Sequence, residues 1–346
     1  MIKKCLHSIL LIFILKSLSL SVLCGQDIHF TNFNLMPLQQ NPSMAGNFDG
    51  DYRFSGIYRN QWATVAVPFN TFGFAFDAAF LENKNGSKLG AGMFAYFDQA
   101  GDSKFQTLYL SVPIAYNLKI PLNDKTRLNV GVGMSVGIFR KSLRTDLLTF
   151  DNQFTGEVFD ENINPNENFE QLSFMRPDIG AGGNIGFEID DKFAIGVGFG
   201  VHHLNLIRES FLNDGMRVTL NRRYAMPAFT IIPINKKWEL QFDYLFQFQA
   251  QKQEHVFGAI AHYYFKNDGP AKKSFGFGSY IRAKDAASAV FRYRVNNFTA
   301  GLAYDTNISD FQAATNSYGG IEIAAIYTIK NVRTPSIKNK RKCKVF

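Results

Sequence analysis

The amino-acid sequence predicts an all-β protein: a transmembrane antiparallel β-barrel of about 14 strands, with a cleaved signal peptide and a basic C-terminal tail. Three observations predict this fold class. Apolar and polar residues alternate with a period of two along most of the chain, many alternating stretches reach 10 to 15 residues, and long connections fall between odd-numbered strands and the next. One apolar aromatic-rich face, one polar or glycine face and an even strand count are typical of outer-membrane barrels.

The first 25 residues have the pattern of a secretory signal peptide. Two lysines precede the seven-residue apolar stretch 9–15, and the small residue Gly25 suits cleavage directly after it. Cys24 raises the alternative of a lipoprotein, but the bulky Leu23 stands where lipoprotein signals carry a small residue. We therefore expect export and cleavage at residues 1–25 rather than lipidation.

Residues 26–50 precede the first strand and form a segment that we call the lead-in. Pro37, Pro42 and Gly46 make a regular strand or helix unfavourable there, so an irregular path is expected. The lead-in also carries Phe30, which needs burial. We expect it to pack under or inside the barrel.

The barrel itself is predicted to occupy residues 51–330. The clearest alternation is in 127–138, where Val130, Val132 and Val136 share one face while Gly131 and Gly133 lie on the other. A helix would mix these sets, whereas a strand separates them. A soluble β-sandwich is the alternative, but its strands are shorter and its turns come every ~8–12 residues. The alternation is found near 51–59, 69–80, 88–98, 104–118, 126–140, 175–190, 192–206, 221–234, 236–250, 253–265, 273–284, 287–295, 297–306 and 317–330.

The connections between these stretches follow the rule of bacterial barrels, which have short periplasmic turns and long external loops. If the first strand runs outward, the near-minimal turns at 190–191, 235–236 and 296–297 lie at the periplasmic side. The long connections 141–174, 207–220 and 307–316 then all lie outside. An even number of strands returns the chain to the side on which it began, so both termini are expected in the periplasm.

The distribution of charge excludes a general nucleic-acid binder. The chain carries a net charge of +8, but residues 26–329 hold 27 basic against 29 acidic residues. The excess of positive charge belongs to the signal peptide and to residues 330–346, which hold seven basic residues and no acidic one. The body of the protein therefore has no general attraction for phosphates, and residues 331–346 are expected to form a basic periplasmic tail.

No residue pattern indicates an enzyme, a cofactor or a metal site. Glycine pairs such as Gly131 and Gly133 lie inside strands, where they leave room in a crowded lumen, rather than in a phosphate-binding turn. His202 and His203 are neighbours on a strand and are expected to face opposite sides. Neither the nucleophile motif of hydrolases nor a zinc-type spacing is present in the sequence.

Several stretches resemble the PorP/SprF family of outer-membrane proteins. Tyr58-Arg-Asn-Gln-Trp62 is the most specific of them. The others are Gln26-Asp-Ile-His-Phe-Thr31, Asn41-Pro-Ser-Met-Ala-Gly46, Tyr304-Asp-Thr-Asn-Ile-Ser309, Gly319-Gly-Ile-Glu-Ile323 and Cys343-Lys-Val-Phe346. The sequence departs from the family pattern at Ser43-Met44 and Lys344-Val345.

This resemblance implies a Gram-negative, Bacteroidetes-type outer-membrane protein of type IX secretion and gliding motility. Such a barrel would support secretion or surface anchoring of cargo proteins through protein–protein contacts. The implied partners are other type IX components, including a periplasmic cell-wall-binding lipoprotein, together with secreted surface cargo and outer-membrane lipid, and no nucleic acid is implied.

The candidate protein-binding residues form two groups. Those in the first motif are Tyr58, Arg59, Asn60, Gln61 and Trp62, at the outer end of the first strand, and those in the tail are Lys342, Cys343 and Phe346. An amphipathic Trp62 at this position also suits an aromatic girdle.

Two alternatives stay open at this point. The tail is either a docking arm or a solvated end near lipid headgroups. The barrel is either a secretion component or a diffusion porin or hydrophobic-solute channel. Many inward positions are Gly or Ala with sparse charge, which favours a narrow or plugged lumen.

Overall fold

The computed structural model describes residues 27–63, 67–83, 86–101, 103–145, 148–160, 162–164, 172–189, 193–209, 211, 219–268, 271–310 and 312–330. Fourteen antiparallel strands follow one another around a closed barrel, and β1 pairs with β14 to complete it. The predicted antiparallel barrel of about 14 strands is confirmed. No helix in the described part of the chain is long and apolar enough to cross a membrane.

The strands lie close to the predicted stretches. They are β1 (Tyr52–Gln61), β2 (Phe69–Phe80), β3 (Lys88–Ala100), β4 (Phe105–Pro121), β5 (Thr126–Ser142), β6 (Ser173–Ile189), β7 (Phe193–His202), β8 (Arg223–Pro233), β9 (Trp238–Gln249), β10 (Lys252–Asp268), β11 (Ala271–Arg282), β12 (Ala286–Val295), β13 (Phe298–Asn307) and β14 (Tyr318–Ile329).

Alternation along each strand separates a lipid-facing wall from a lumen-facing wall. On β5 the outward side chains Val132, Met134 and Val136 are 62%, 59% and 58% exposed, whereas the inward Ser135 is buried. The closed ladder pairs the backbone groups of each strand with both neighbours, which hydrocarbon requires because it offers no hydrogen bonds.

One end of β7 differs from the expectation. The alternation predicts a strand to residue 206, but β7 ends at His202, because His203 and Leu206 adopt positive φ angles of 58° and 50°. The chain turns there, so both histidine side chains are buried and their ring centroids lie 6.4 Å apart. The expectation that they face opposite sides is wrong.

The two ends of the barrel are distinguished by their connections. We call the end where odd-numbered strands finish the loop end, since it carries connections 143–172, 203–222 and 308–317. The opposite end, which includes connections 122–125, 234–237 and 296–297, is the turn end.

The lead-in lies inside the lumen. It forms two 3₁₀ turns, Phe33–Leu35 and Pro42–Met44, on either side of a one-turn helix α1 (Pro37–Gln40). Proline begins α1 and the second 3₁₀ turn, where its missing N–H costs nothing. Asn41 caps the second turn by accepting a hydrogen bond from the Ser43 N–H. These turns give a compact segment rather than a fifteenth strand.

The path of the lead-in crosses the lumen from one end to the other. The Asp27 N–H donates to Gln249 Oε1 at the last residue of β9, which is the loop end. Asp49 pairs with Lys330 Nζ at 2.7 Å just beyond β14, which is the turn end. Residues 27 and 330 therefore lie at opposite ends of the barrel, although β1 begins and β14 finishes at the same end.

Candidate functional site

Three of the sequence motifs meet at the loop end. Motif 58–62 finishes β1, motif 304–309 finishes β13, and motif 319–323 begins β14. They are neighbours because β14 pairs with both other strands. The register places Arg59 directly opposite Glu322.

A buried ion network joins these strands. Arg59 Nη2 lies 2.6 Å from Asp305 Oδ2, and Arg59 Nη1 lies 3.3 Å from Glu322 Oε2. The three side chains are at most 4% exposed. Two carboxylates and one guanidinium in such a dry site depend on one another, since removing one partner of a buried pair costs ~3–5 kcal/mol.

The lead-in completes this network. Thr31 Oγ1 donates to Asp305 Oδ1 at 2.8 Å, and the Thr31 N–H donates to Glu322 Oε2 at 2.8 Å. The Asn32 N–H donates to Glu322 Oε1 at 2.6 Å. Glu322 thus accepts hydrogen bonds from two main-chain N–H groups of the lead-in. These groups would otherwise be buried without a hydrogen-bond partner.

A second arginine stands beside the first. Arg282, the last residue of β11, pairs with Asp285 at 2.8 Å and with Glu254 at 3.7 Å. His29 Nδ1 lies 3.4 Å from Glu254. Burial, together with the positive charge of Arg282, lowers the pKa of His29 to about 4 although Glu254 opposes the shift. His29 is therefore neutral at physiological pH.

Both arginines, together with Asp285 and Asp305, line a pocket that we call the loop-end pocket. It has a volume of about 230 Å³. Its wall includes Arg59, Gln61, Trp62, Arg282, Asp285 and Asn307. Trp62 adopts a φ of 60°, donates its backbone N–H to Gly319 O, and packs its ring 5.1 Å from that of Phe69.

The first motif divides between the two faces of β1. Arg59 and Gln61 reach the loop-end pocket together with Trp62. Tyr58 and Asn60 lie on the outer wall, where both donate hydrogen bonds to Asn70 Oδ1, at 3.0 and 2.7 Å. The candidates Lys342, Cys343 and Phe346 lie outside the described residues, as do the signal peptide and residues 331–346.

A further cluster at the loop end had no signal in the sequence. His203 Nε2 lies 2.7 Å from Asp27 Oδ2, and its Nδ1 lies 3.1 Å from Asp178 Oδ1. Burial alone would lower the pKa of His203, but the two carboxylates raise it to about 9. Burial opposes ionisation of Asp27, yet His203 and Arg223 hold its pKa well below the usual range. The imidazolium therefore fastens the start of the lead-in to the barrel wall.

The turn-end half of the lead-in is held by another ion pair. Arg53 Nη2 lies 2.8 Å from Asp77 Oδ2 and donates to Met44 O at 2.9 Å. The Gly46 N–H donates to the same Asp77 oxygen.

The lumen is richer in charge than the sequence indicates. The buried inward charges are spread over nine of the fourteen strands, with one or two on each of the nine, so no single stretch of sequence stands out. They include Arg53, Arg59, Asp77, Asp178, Arg223, Asp243, Arg282, Arg292, Asp305 and Glu322.

Inward glycines make room for the lead-in backbone. A Cβ built on Gly133 would lie 2.7 Å from Ser43 Cα, and one on Gly200 would lie 2.1 Å from Gln40 O. Both distances are far inside van der Waals contact. The glycine face predicted from the alternation is therefore the surface on which the lead-in rests.

The sequence profile described as type IX secretion system membrane protein PorP/SprF matches residues 22–327. The chain belongs to this family. Its fold is that of an outer-membrane β-barrel, so the PorP/SprF chain described here is an outer-membrane protein of the type IX secretion family. Other components of that secretion system are its partners at the level of the family. No curated protein matches the chain.

Several solved barrels are similar to this PorP/SprF chain. The CymD monoaromatic hydrocarbon channel is 12% identical, with 89% of this chain and 96% of that chain covered and a TM-score of 0.48. The Pseudomonas putida toluene transporter TodX is 11% identical, with 88% and 94% covered and a TM-score of 0.44. The NanC porin is 9% identical, with 81% and 100% covered and a TM-score of 0.38. At these scores the activities in their names do not transfer to this chain.

Proposed function

We propose that this PorP/SprF protein is a non-enzymatic barrel that supports secretion or surface anchoring of cargo proteins through contacts at its loop end. The observation that carries the proposal is the convergence of motifs 58–62, 304–309 and 319–323 around one pocket at that end. Their side chains are paired with one another and with the lead-in, which favours a fixed recognition surface over a path for solutes.

The lengths of the connections support an orientation of the barrel in the membrane. We propose that the turn end faces the periplasm and the loop end faces outward, because bacterial barrels keep short turns inside and long loops outside. Lys330 and the tail after it then lie in the periplasm, within reach of a cell-wall-binding lipoprotein. Residue 27 lies at the outward-facing end, since the lead-in crosses the lumen. This differs from the sequence-based expectation for the amino end.

A diffusion porin or hydrophobic-solute channel is the competing function. Phe30, Met36 and Ala45 of the lead-in are at most 1% exposed within the lumen, which supports a closed barrel. We expect the purified full-length protein to form no large stable channels in a planar bilayer. Large stable conductance would favour the channel instead.

Trp62 provides the test of the contact surface, because the chain offers a matched control. The two tryptophans are Trp62 at the loop end and Trp238, the first residue of β9, at the turn end. Trp62→Ala should abolish copurification of secretion components or cargo and reduce cargo secretion, whereas Trp238→Ala should leave both intact. Heat-modifiable migration in gels controls for barrel assembly.

If both tryptophan variants behave alike, Trp62 serves only the aromatic girdle and the loop-end contact surface is refuted.

The tail is tested separately by truncation after Lys330. Docking of a periplasmic partner requires that the truncated barrel assembles but no longer copurifies that partner. Copurification at the wild-type level would make the tail a solvated end.

A further inference from the structure

The loop-end pocket is too small for a typical solute site but suits one long side chain. Its volume of about 230 Å³ lies below the ~300–1,000 Å³ of pockets that enclose small-molecule ligands. Its lining residues lie at the loop ends of their strands or in the adjoining connections 283–285 and 308–317. An occupant from a partner protein could therefore reach it without passing through the lumen.

The charges around the pocket favour a cation. The two guanidiniums, Arg59 and Arg282, are both engaged in ion pairs. Four carboxylates form ion pairs with these two guanidiniums, namely those of Glu254, Asp285, Asp305 and Glu322. Asp285 and Asp305 line the pocket beside the two guanidiniums, and Glu254 and Glu322 pair with the same guanidiniums from outside the lining, so carboxylates outnumber guanidiniums by four to two. An anionic ligand would add to that excess, whereas a cationic side chain would offset it.

Asp285 is the carboxylate that can meet an incoming group. Its side chain is 48% exposed, whereas those of Glu254, Asp305 and Glu322 are at most 13% exposed. Trp62, also on the pocket wall, is only partly buried. An ammonium or guanidinium near an indole face is attracted by the negative face of the ring. A carboxylate and an indole on one pocket wall are the partners that such a group requires.

The connections around the pocket also carry more acidic than basic residues. Those at the loop end carry twelve acidic and six basic residues, and seven of the twelve lie in 143–172. Those at the turn end carry four acidic and five basic residues. A field of this sign would raise the rate at which a basic segment meets the loop end.

We propose that the loop-end pocket receives a lysine or arginine side chain from a basic segment of the partner protein, held by Asp285 and Trp62. This inference rests on the proposed function and names the chemistry of the partner at that site.

The test uses Trp62 as the reporter. In the full-length Trp238→Phe protein in detergent, Trp62 is the remaining tryptophan. The peptide Gly-Gly-Arg-Gly-Gly should produce a saturable change in its emission, with weakened affinity at high salt, and the glutamate counterpart should produce none. Asp285→Asn should weaken the arginine peptide about tenfold. Asp151→Asn, which makes the same charge change at an exposed loop residue, should weaken it less than twofold.

Three outcomes would overturn the inference: no saturable response in a heat-modifiable barrel, an equal response to the glutamate peptide, or equal losses from the two aspartate variants. The last result would mean that only the general field attracts the peptide. Failure of the peptide experiment is distinguishable from failure of the proposed function. If Trp62→Ala still abolishes copurification, the loop end remains a contact surface for partner proteins, and only its preference for cationic side chains is refuted.

Discussion

Gly133 allows the packing of the lead-in to be tested without touching its sequence. A Cβ at this position would lie 2.7 Å from Ser43 Cα, 2.8 Å from Ser43 N and 2.9 Å from Pro42 O. These are backbone atoms, so no side-chain rotation can relieve the contact, and Gly133→Ala must displace the lead-in. Overpacking of this kind costs ~1–3 kcal/mol. At ~1.4 kcal/mol per tenfold, the undocked population should rise about 5- to 150-fold.

Chymotrypsin provides the measurement. It cleaves after aromatic residues, and Phe30 and Phe33 of the docked lead-in are only 1% and 2% exposed. We expect the rate of cleavage within 27–50, mapped by mass spectrometry, to rise in Gly133→Ala by the factor above. Gly183→Ala is the matched control, because Gly183 lies on the neighbouring strand opposite Val132 and its Cβ would meet only Gly131 O at 3.5 Å.

The reasoning would be refuted if the Gly133→Ala barrel kept its heat-modifiability and its lead-in resisted chymotrypsin as well as the wild type does. Equal sensitivity of Gly133→Ala and Gly183→Ala would also refute it, because the effect would then come from strand glycines in general. Loss of heat-modifiability in Gly133→Ala alone would place the strain in the barrel wall instead of the lead-in.

Three other predictions concern the wall, the ion network and the histidine. Val132→Arg should destabilise the barrel by ~2–4 kcal/mol, since Val132 faces lipid near the middle of β5, and a shifted urea midpoint of the folded gel band would report it. Arg59→Met should cost ~3–5 kcal/mol in the same assay, because Asp305 and Glu322 lose their shared cation. The pKa of His203 is raised from 6.5 to about 9, so its stabilising contribution is complete below pH 6.5 and is lost as the pH rises through 9. Hydrogen exchange at residues 27–31, corrected for its intrinsic pH dependence, should therefore accelerate between pH 8 and 10, and a flat profile would contradict the assignment.

The strands were predictable because their signal is local. Alternation along β5 needs only neighbouring residues, and the positions near 126–140 correspond to the observed Thr126–Ser142. The path of the lead-in was not predictable in this way. Thr31 meets Glu322 across 291 residues, and Asn34 meets Asp243 across 209. No periodicity within either stretch encodes such a contact.

The candidate site was predictable only in part for the same reason. Alternation correctly implies that Arg59 and Gln61 share one face of β1, but it does not name Arg282 or Asp285 as their neighbours on other strands. The contacts of His203 with Asp27 and Asp178 were missed because the buried position of His203 depends on a positive φ angle that ends β7 early. A backbone reversal of this kind has no signal in the pattern of apolar residues.

The lead-in and the loop-end pocket share a carboxylate, and this makes their occupancy interdependent. Asp305 contacts Arg59 on the pocket wall and accepts a hydrogen bond from Thr31 of the lead-in. If the lead-in leaves, Asp305 and Glu322 lose their Thr31 contacts, and the pocket wall must rearrange. We therefore expect Gly133→Ala, in the Trp238→Phe protein, to weaken binding of the arginine peptide although Gly133 does not line the pocket.

By thermodynamic linkage, a peptide that binds more tightly when the lead-in is docked also favours the docked state, so saturating peptide should slow chymotrypsin cleavage of the lead-in. A peptide that binds Gly133→Ala and the parent protein equally, and that leaves the cleavage rate unchanged, would mean that the pocket keeps its shape without the lead-in. In that case the hydrogen bonds from Thr31 serve only to anchor the segment, and the recognition surface is built by the strands alone.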